Sequence, residues 1–76
     1  MTNTALLLEW IKKSGYRRSF LAEQLNLSYY GFQLKIQNEH EFKPSEINKL
    51  CKLLGITSLR DKDRIFFAKE VEKMAT

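Results

Sequence analysis

The chain is poor in the residue types from which many functional sites are built. It has one histidine, His40, and one cysteine, Cys51, so a metal centre made of several such side chains is not expected. A lone cysteine also excludes a disulfide within the chain, as is usual for proteins of a reducing cytoplasm. One proline and three glycines leave no flexible linker, so residues 1–76 are predicted to form a single domain.

Two further absences limit the class of protein. No apolar run approaches the ~18 residues that a membrane-spanning helix needs, and the run at 5–8 is too short for a signal peptide. No glycine-rich phosphate loop is present, and a chain of this length has little room for an enclosed active site. We therefore expect a cytoplasmic protein that is not an enzyme, with no catalytic residues, no cofactor, no metal, no membrane contact and no small-molecule substrate.

What is present is the composition of an ordinary folded protein with a modest positive charge. Hydrophobic residues make up 43% of the chain and charged residues 29%, which is typical of a globular protein rather than a disordered one. The formal net charge is +4, which favours an anionic partner. The excess is shared by both parts of the chain, because residues 1–44 carry six Lys/Arg against four Asp/Glu and the remainder seven against five.

The stretch 18–38 predicts two short amphipathic helices joined by a tight turn. The apolar positions that recur at helical spacing are Phe20, Leu21 and Leu25 in the first helix and Phe32 and Ile36 in the second. Asn26 tolerates the left-handed backbone that would end the first helix, and Ser28 is a good N-cap for the second. Ala22 and Gly31 are small enough to let the two helices cross closely. These features together predict a helix-turn-helix.

Three further helices are predicted around this unit. The first begins with Thr4 as its predicted cap and ends at Gly15 as a left-handed cap. The fourth begins at Pro44 and is closed by Gly55, and a capping box at 57–61 predicts the start of the last. Glu46 can reach back to the start of its own helix. A break of the last helix near Phe66 remains open. The predicted fold class is all-α, a compact bundle of about five short helices.

Several segments carry a family resemblance. LAEQLNLS, followed by Phe32, Lys35-Ile36 and Asn38, resembles the Cro/CI (Xre) class of phage and bacterial regulators. FQLKIQNEHEFKPSEI and the tail LRDKDRIFFAKEV are similar to small proteins of temperate phages of Gram-positive bacteria. The resemblance implies a lambda-repressor-like fold and a transcriptional regulator that binds operator DNA, as a homodimer on two half-sites.

The chain departs from the family pattern at three places. Asn26 stands where the family usually has the turn glycine, and Arg17 stands where a Thr or Ser usually opens the first helix of the helix-turn-helix. Gln37-Asn38 replaces the usual Asn-Gly after the second helix. The departure at Arg17 weakens the N-cap of the first helix of the helix-turn-helix, because the Arg side chain has no oxygen to accept a backbone hydrogen bond.

The outward face of the second helix, at about 28–37, would read DNA. Gln can pair with adenine, and Tyr can donate to phosphate or pack against a thymine methyl group. The residues predicted to read bases are Tyr29, Tyr30 and Gln33. The resemblance places the start of the preceding helix over the DNA backbone, which implies a phosphate role for Arg18. The residues predicted to hold phosphates are Arg18, Ser28, Gln37 and Lys43. Lys35 is expected to be a surface cation.

Apolar residues outside the helix-turn-helix suggest a second surface. Leu6 and Trp10 lie beside the inward stripe of the first predicted helix, and they either extend the core or form a patch for another chain. The bulky residues 65–67 cannot all face inward from one helix, so a five-helix core and a partner surface both remain open there. The predicted partner interface comprises Leu6, Trp10, Phe66 and Phe67, with 58–76 as a dimer or partner contact.

A second function remains open beside DNA binding. The predicted reading helix has no Arg, which makes the commonest contact to guanine, and Glu39 and Glu41 follow it closely. Some members of the phage group that this chain resembles are similar to anti-repressors, which pair with the phage repressor instead of holding DNA. On that interpretation, Tyr29 and Tyr30 would contact the cognate repressor protein.

Overall fold

The computed structural model describes residues 1–68, which form five α-helices and contain no strand. The helices are α1 (Thr4–Ser14), α2 (Arg18–Gln24), α3 (Tyr29–Ile36), α4 (Pro44–Leu54) and α5 (Leu59–Phe66). The predicted all-α bundle of about five short helices is thereby confirmed. Of the predicted C-terminal contact at 58–76, residues 69–76 lie outside the described part.

One hydrophobic core joins the helices, and every helix contributes to it. The largest fully buried side chains are Phe32, Leu7, Leu21, Ile36, Leu50 and Ile65. Phe42, in the loop before α4, packs edge-to-face on two further rings, with its centroid 6.2 Å from that of Phe32 and 5.6 Å from that of Phe66. Such aromatic pairs add stability beyond the area that they bury. The loop that follows α3 is therefore fastened to the core.

The two phenylalanines at the end of α5 lie in different environments. Phe66 is 4% exposed and belongs to the core, whereas Phe67, the residue after the helix, is 54% exposed. This corrects the assignment of Phe66 to a partner surface, because its ring already packs on Phe42. Phe67 therefore stays within the predicted partner surface. Leu6 and Trp10 are half-buried and pack against the edge of the core.

Left-handed residues end two of the helices, as predicted. Gly15 closes α1 with a φ of 80°, and Gly55 closes α4 with a φ of 77°. The prediction that Thr4 caps α1 is wrong, because Asn3 does so by accepting a hydrogen bond from the Leu6 N–H at 3.1 Å. Thr4 instead donates its hydroxyl to the carbonyl of Ile36 at 2.5 Å. The start of α1 is thus tied to the end of α3.

The first residues of the chain also bind to α3 and α5. Asn38, just after α3, exchanges two hydrogen bonds of 2.6 Å with the backbone of Thr2. The Asn3 N–H donates to the carbonyl of Ile65 at 2.6 Å. Asn38 has a φ of 68°, the left-handed conformation that Asn tolerates better than other residues with a side chain. These contacts fix the point at which the chain leaves α3.

Chemical groups elsewhere in the bundle are few. Cys51 is buried, and burial raises the pKa of its thiol despite the nearby Lys62 ammonium, so the thiol stays protonated and unreactive at neutral pH. No three His, Cys, Asp or Glu side chains of residues 1–68 lie close enough together to hold a metal ion. In the same part of the chain, every helix is too short or too polar to cross a membrane.

Candidate nucleic-acid interface

The turn between α2 and α3 has the conformation that the sequence predicts. Asn26 has a φ of 59°, and its N–H donates to the carbonyl of Glu23 at 3.0 Å. The Leu27 N–H donates to the carbonyl of Ala22 at 2.9 Å, so the chain folds back at once. Ala22 is buried on α2, the helix that contacts α3. The turn therefore fixes α3 against α2 by backbone hydrogen bonds.

Ser28 caps α3, and its hydroxyl lies close to the glycine within the helix. The Ser28 hydroxyl oxygen accepts a hydrogen bond from the Gly31 N–H at 2.9 Å. A Cβ atom on Gly31 would lie 3.1 Å from that oxygen, which is tighter than ordinary contact. Gly31 has no other atom within 4 Å of that position, so the close crossing of α2 and α3 that the sequence suggested does not explain the glycine. The Ser28 hydroxyl keeps its own proton to donate to a phosphate.

The two sides of α3 have opposite character. Its inward side chains are Phe32, Lys35 and Ile36, all buried. The predicted base readers lie elsewhere on the helix: Tyr29 is 51% exposed, Tyr30 is 72% exposed and Gln33 is half-buried. Gln37, a predicted phosphate ligand, is the exposed residue that follows the last residue of α3. Three side chains with hydrogen-bonding groups thus lie on α3, and a fourth follows at its end.

Arg18 and Gln33 were predicted to have separate roles, and the fold brings them together. Nη1 of Arg18 donates to Oε1 of Gln33 at 3.0 Å, across the junction of α2 and α3. Arg18 stands at the first position of α2, where the adjacent Arg17 provides no side-chain cap. A guanidinium has five N–H groups, so Arg18 retains donors for a phosphate or a base.

Lys35 is held inside the protein, and the prediction of a surface cation is wrong. Its Nζ lies 2.6 Å from Oε1 of Glu46, and the two side chains are only 11% and 10% exposed. The same oxygen accepts the Lys43 N–H at 2.9 Å, which is the predicted contact back to the start of α4. Burial opposes the charge of Glu46, but these hydrogen bonds outweigh it and lower the pKa of the carboxyl. The pair couples the inner side of α3 to the start of α4.

The surroundings of the reading helix contain both signs of charge. Lys43 is exposed beside the start of α4, where its side chain is available to an anion. Glu39, His40 and Glu41 are exposed in the loop that follows α3. Two carboxylates there would repel a DNA backbone that passed close to the loop. Affinity for DNA would therefore depend on the cations around the helix, of which Arg18 and Lys43 are the predicted phosphate ligands.

Sequence reasoning missed an aromatic surface next to these cations. Phe20 was predicted to face inward, but it is 38% exposed and stacks on Tyr16, which is 43% exposed, with ring centroids 5.0 Å apart. Leu21, the next residue, takes the inward position instead.

Leu34 was also missed; it is half-buried and lies four residues after Tyr30 on α3. The spacing from Tyr30 to Leu34 was the available signal.

No protein-family model, curated protein or solved structure matches this chain. The case for a function therefore depends on the chain's own residues and their geometry.

Proposed function

We propose that the protein is a sequence-specific, DNA-binding transcriptional regulator of the Cro/repressor type, from a phage or prophage. It would act in the cytoplasm of the host bacterial cell and bind two operator half-sites as a dimer, about 34 Å apart. The observation that supports this best is the outward side of α3, where two exposed tyrosines and a glutamine stand on a helix fixed from behind by the core.

The proposed contacts divide into two sets. Tyr29, Tyr30 and Gln33 read base edges in the major groove, which admits one helix. Arg18, Ser28, Gln37 and Lys43 hold phosphates on either side of that groove. The cap at Ser28 supports this division, because it places the Ser28 hydroxyl at the start of α3, where the first backbone N–H groups of a helix favour an anion. Affinity would come mainly from the phosphate set and specificity from the base readers.

The test begins with selection of binding sites from a random duplex library, followed by titration of the selected site against salt. Each phosphate neutralised contributes about −0.9 to the slope of log affinity against log salt. Lys43→Ala is expected to reduce that slope by about one and to weaken all sequences alike.

The matched control is Lys52→Ala. Lys52 is also exposed on α4, about 13 Å further along the axis by the helical rise, and it has no proposed contact. It should leave the slope unchanged. Equal effects of the two variants would mean that DNA is held by diffuse charge alone, and failure to enrich any sequence would remove the proposal.

A second function is favoured by one specific observation, the acidic loop after α3. Glu39 and Glu41 are exposed next to the proposed DNA surface, where they would oppose phosphates but suit a basic partner protein. On this alternative the protein is an anti-repressor that binds the cognate phage repressor through Tyr29 and Tyr30, with Leu6, Trp10 and Phe67 as a further contact. The expected result is then no DNA binding by the protein alone, together with release of the repressor from its operator.

A further inference from the structure

The amide of Gln33 is already held by a cation on its own chain. Nη1 of Arg18 donates to Oε1 at 3.0 Å, so the carbonyl end of the amide faces Arg18 and the NH₂ end faces away from it. Both residues are half-buried, which limits the competition of water for this contact. The side chain of Gln33 is therefore oriented before any DNA arrives.

We infer that Arg18 is a positioning residue that determines which base Gln33 reads, and that the oriented amide selects guanine over adenine. This inference rests on the proposed function, since it names the base that the same site recognises.

The selection follows from the donors and acceptors of the two purines. Adenine presents an acceptor, N7, and a donor, the N6 amino group, so a glutamine pairs with it by using both Oε1 and Nε2. Guanine presents two acceptors, N7 and O6. Oε1 of Gln33 already accepts one hydrogen bond from Arg18, whereas both N–H groups of its NH₂ remain unused by that contact and match the two acceptors of guanine.

The charge of Arg18 acts in the same direction. A guanidinium beside the base-reading amide favours the electronegative N7 and O6 edge of guanine and disfavours the amino hydrogens of adenine. Arg18 is at the start of α2 and reaches Gln33 from the side, so it supports this preference without replacing Gln33 on the helix. A glutamine on a helix without arginine can thus recognise the base that arginine most often reads.

The experiment compares the binding sites selected from a random duplex library by the full chain and by three variants. The full chain should enrich guanine at one position of each half-site. Arg18→Met should retain the other positions and change this one toward adenine, with the ratio of guanine to adenine affinity falling about tenfold or more. Gln33→Ala should lose preference at this position alone.

Arg17→Met is the matched control. It removes an exposed cation next to Arg18 that does not contact Gln33, so it should weaken every sequence similarly and leave the guanine preference intact. Gln33→Glu provides a second line of evidence, because it keeps a partner for Arg18 but removes both donors. It should lose the preference for guanine and favour cytosine, whose amino group a carboxylate accepts. Circular dichroism melts establish that each variant is folded.

Three results would overturn the inference while leaving the proposed function in place. If Arg18→Met binds all sequences more weakly but still prefers guanine, Arg18 is a phosphate ligand only. If Gln33→Ala keeps the guanine preference, Arg18 reads the base itself. If the full chain prefers adenine at the position that Gln33→Ala affects, the amide is not oriented by Arg18. If the full chain enriches no sequence at all, the proposed function and the inference both fail.

Discussion

A basic side chain makes a contact on each side of α3, and the two contacts differ in burial and in the charge of the partner. On the inner side, Lys35 is buried and makes a 2.6 Å contact with the carboxylate of Glu46. On the outer side, Arg18 is half-exposed and donates to the neutral amide of Gln33. A buried cation with a carboxylate has its charge neutralised and serves the fold. A half-exposed cation on a neutral amide keeps its charge, which remains available to an anionic ligand.

The largest expected effect is on the free energy of unfolding, which a substitution on the inner side of α3 should lower far more than one on the outer side. Phe32 is fully buried among core side chains, so Phe32→Ala should lower the free energy of unfolding by about 4 kcal/mol through lost burial and the cavity that remains. Tyr30 is 72% exposed, so Tyr30→Ala should change it by less than about 0.5 kcal/mol. Urea unfolding measures both.

In DNA binding, the variant with the small effect on stability should have a direct effect of its own. Tyr30→Ala is expected to weaken binding to the selected operator about tenfold at unchanged stability. A Tyr30→Ala protein that is as unstable as Phe32→Ala would show that the outer side of α3 is packed, and the comparison of the two sides would fail.

The next effect concerns the buried ion pair. Glu46→Ala leaves the Lys35 ammonium in a nearly closed position without its carboxylate, and it also removes the acceptor for the Lys43 N–H. Loss of one partner of a buried pair is costly, and we expect about 3 kcal/mol. Glu41→Ala is the control, because Glu41 is an exposed carboxylate close to the same helix, and it should cost less than about 0.5 kcal/mol. Similar urea midpoints for both variants would mean that the Lys35 contact does not hold α3.

The ion pair should also make stability depend on pH. The folded pKa of Glu46 lies below its ordinary value of 4.5, so the folded state binds this proton less readily than the unfolded state does. The resulting stability is fully present above pH 4.5 and is lost as the pH falls through the lower, folded pKa. The urea midpoint of the full chain should therefore fall on acidification below pH 4.5. Glu46→Gln should be less stable at neutral pH and show a smaller fall.

The local features of the helix-turn-helix were predictable because they depend on neighbouring residues. Asn26 in the left-handed conformation, Ser28 as a cap and the inward positions of Phe32 and Ile36 all follow from spacing and backbone preference. Phe20 was misplaced because spacing alone does not tell where the buried face of α2 lies: it covers the next two residues, Leu21 and Ala22, and leaves Phe20 38% exposed.

Contacts between distant parts of the chain were not predictable in this way. The partner of Lys35 is eleven residues away on another helix, and a lysine at the edge of a helix normally reaches water. Thr4 and Asn3 are both good caps, and the carbonyl of Ile36 decides between them by taking the Thr4 hydroxyl. The contact of Arg18 with Gln33 likewise depends on how α2 crosses α3.

The smallest expected effects on stability come from the two asparagines at the ends of α3. Asn26 precedes α3 and Asn38 follows it, and both have a positive φ that glycine adopts without strain. At Asn26, glycine relieves the strained backbone but loses more entropy on folding, so Asn26→Gly should change stability by no more than about 0.5 kcal/mol. At Asn38 the same change also removes both hydrogen bonds to Thr2, at a cost of about 1–2 kcal/mol. Thermal unfolding of the two glycine variants measures the difference, and equal melting temperatures would mean that the bridge from Thr2 does not hold the end of α3 in place.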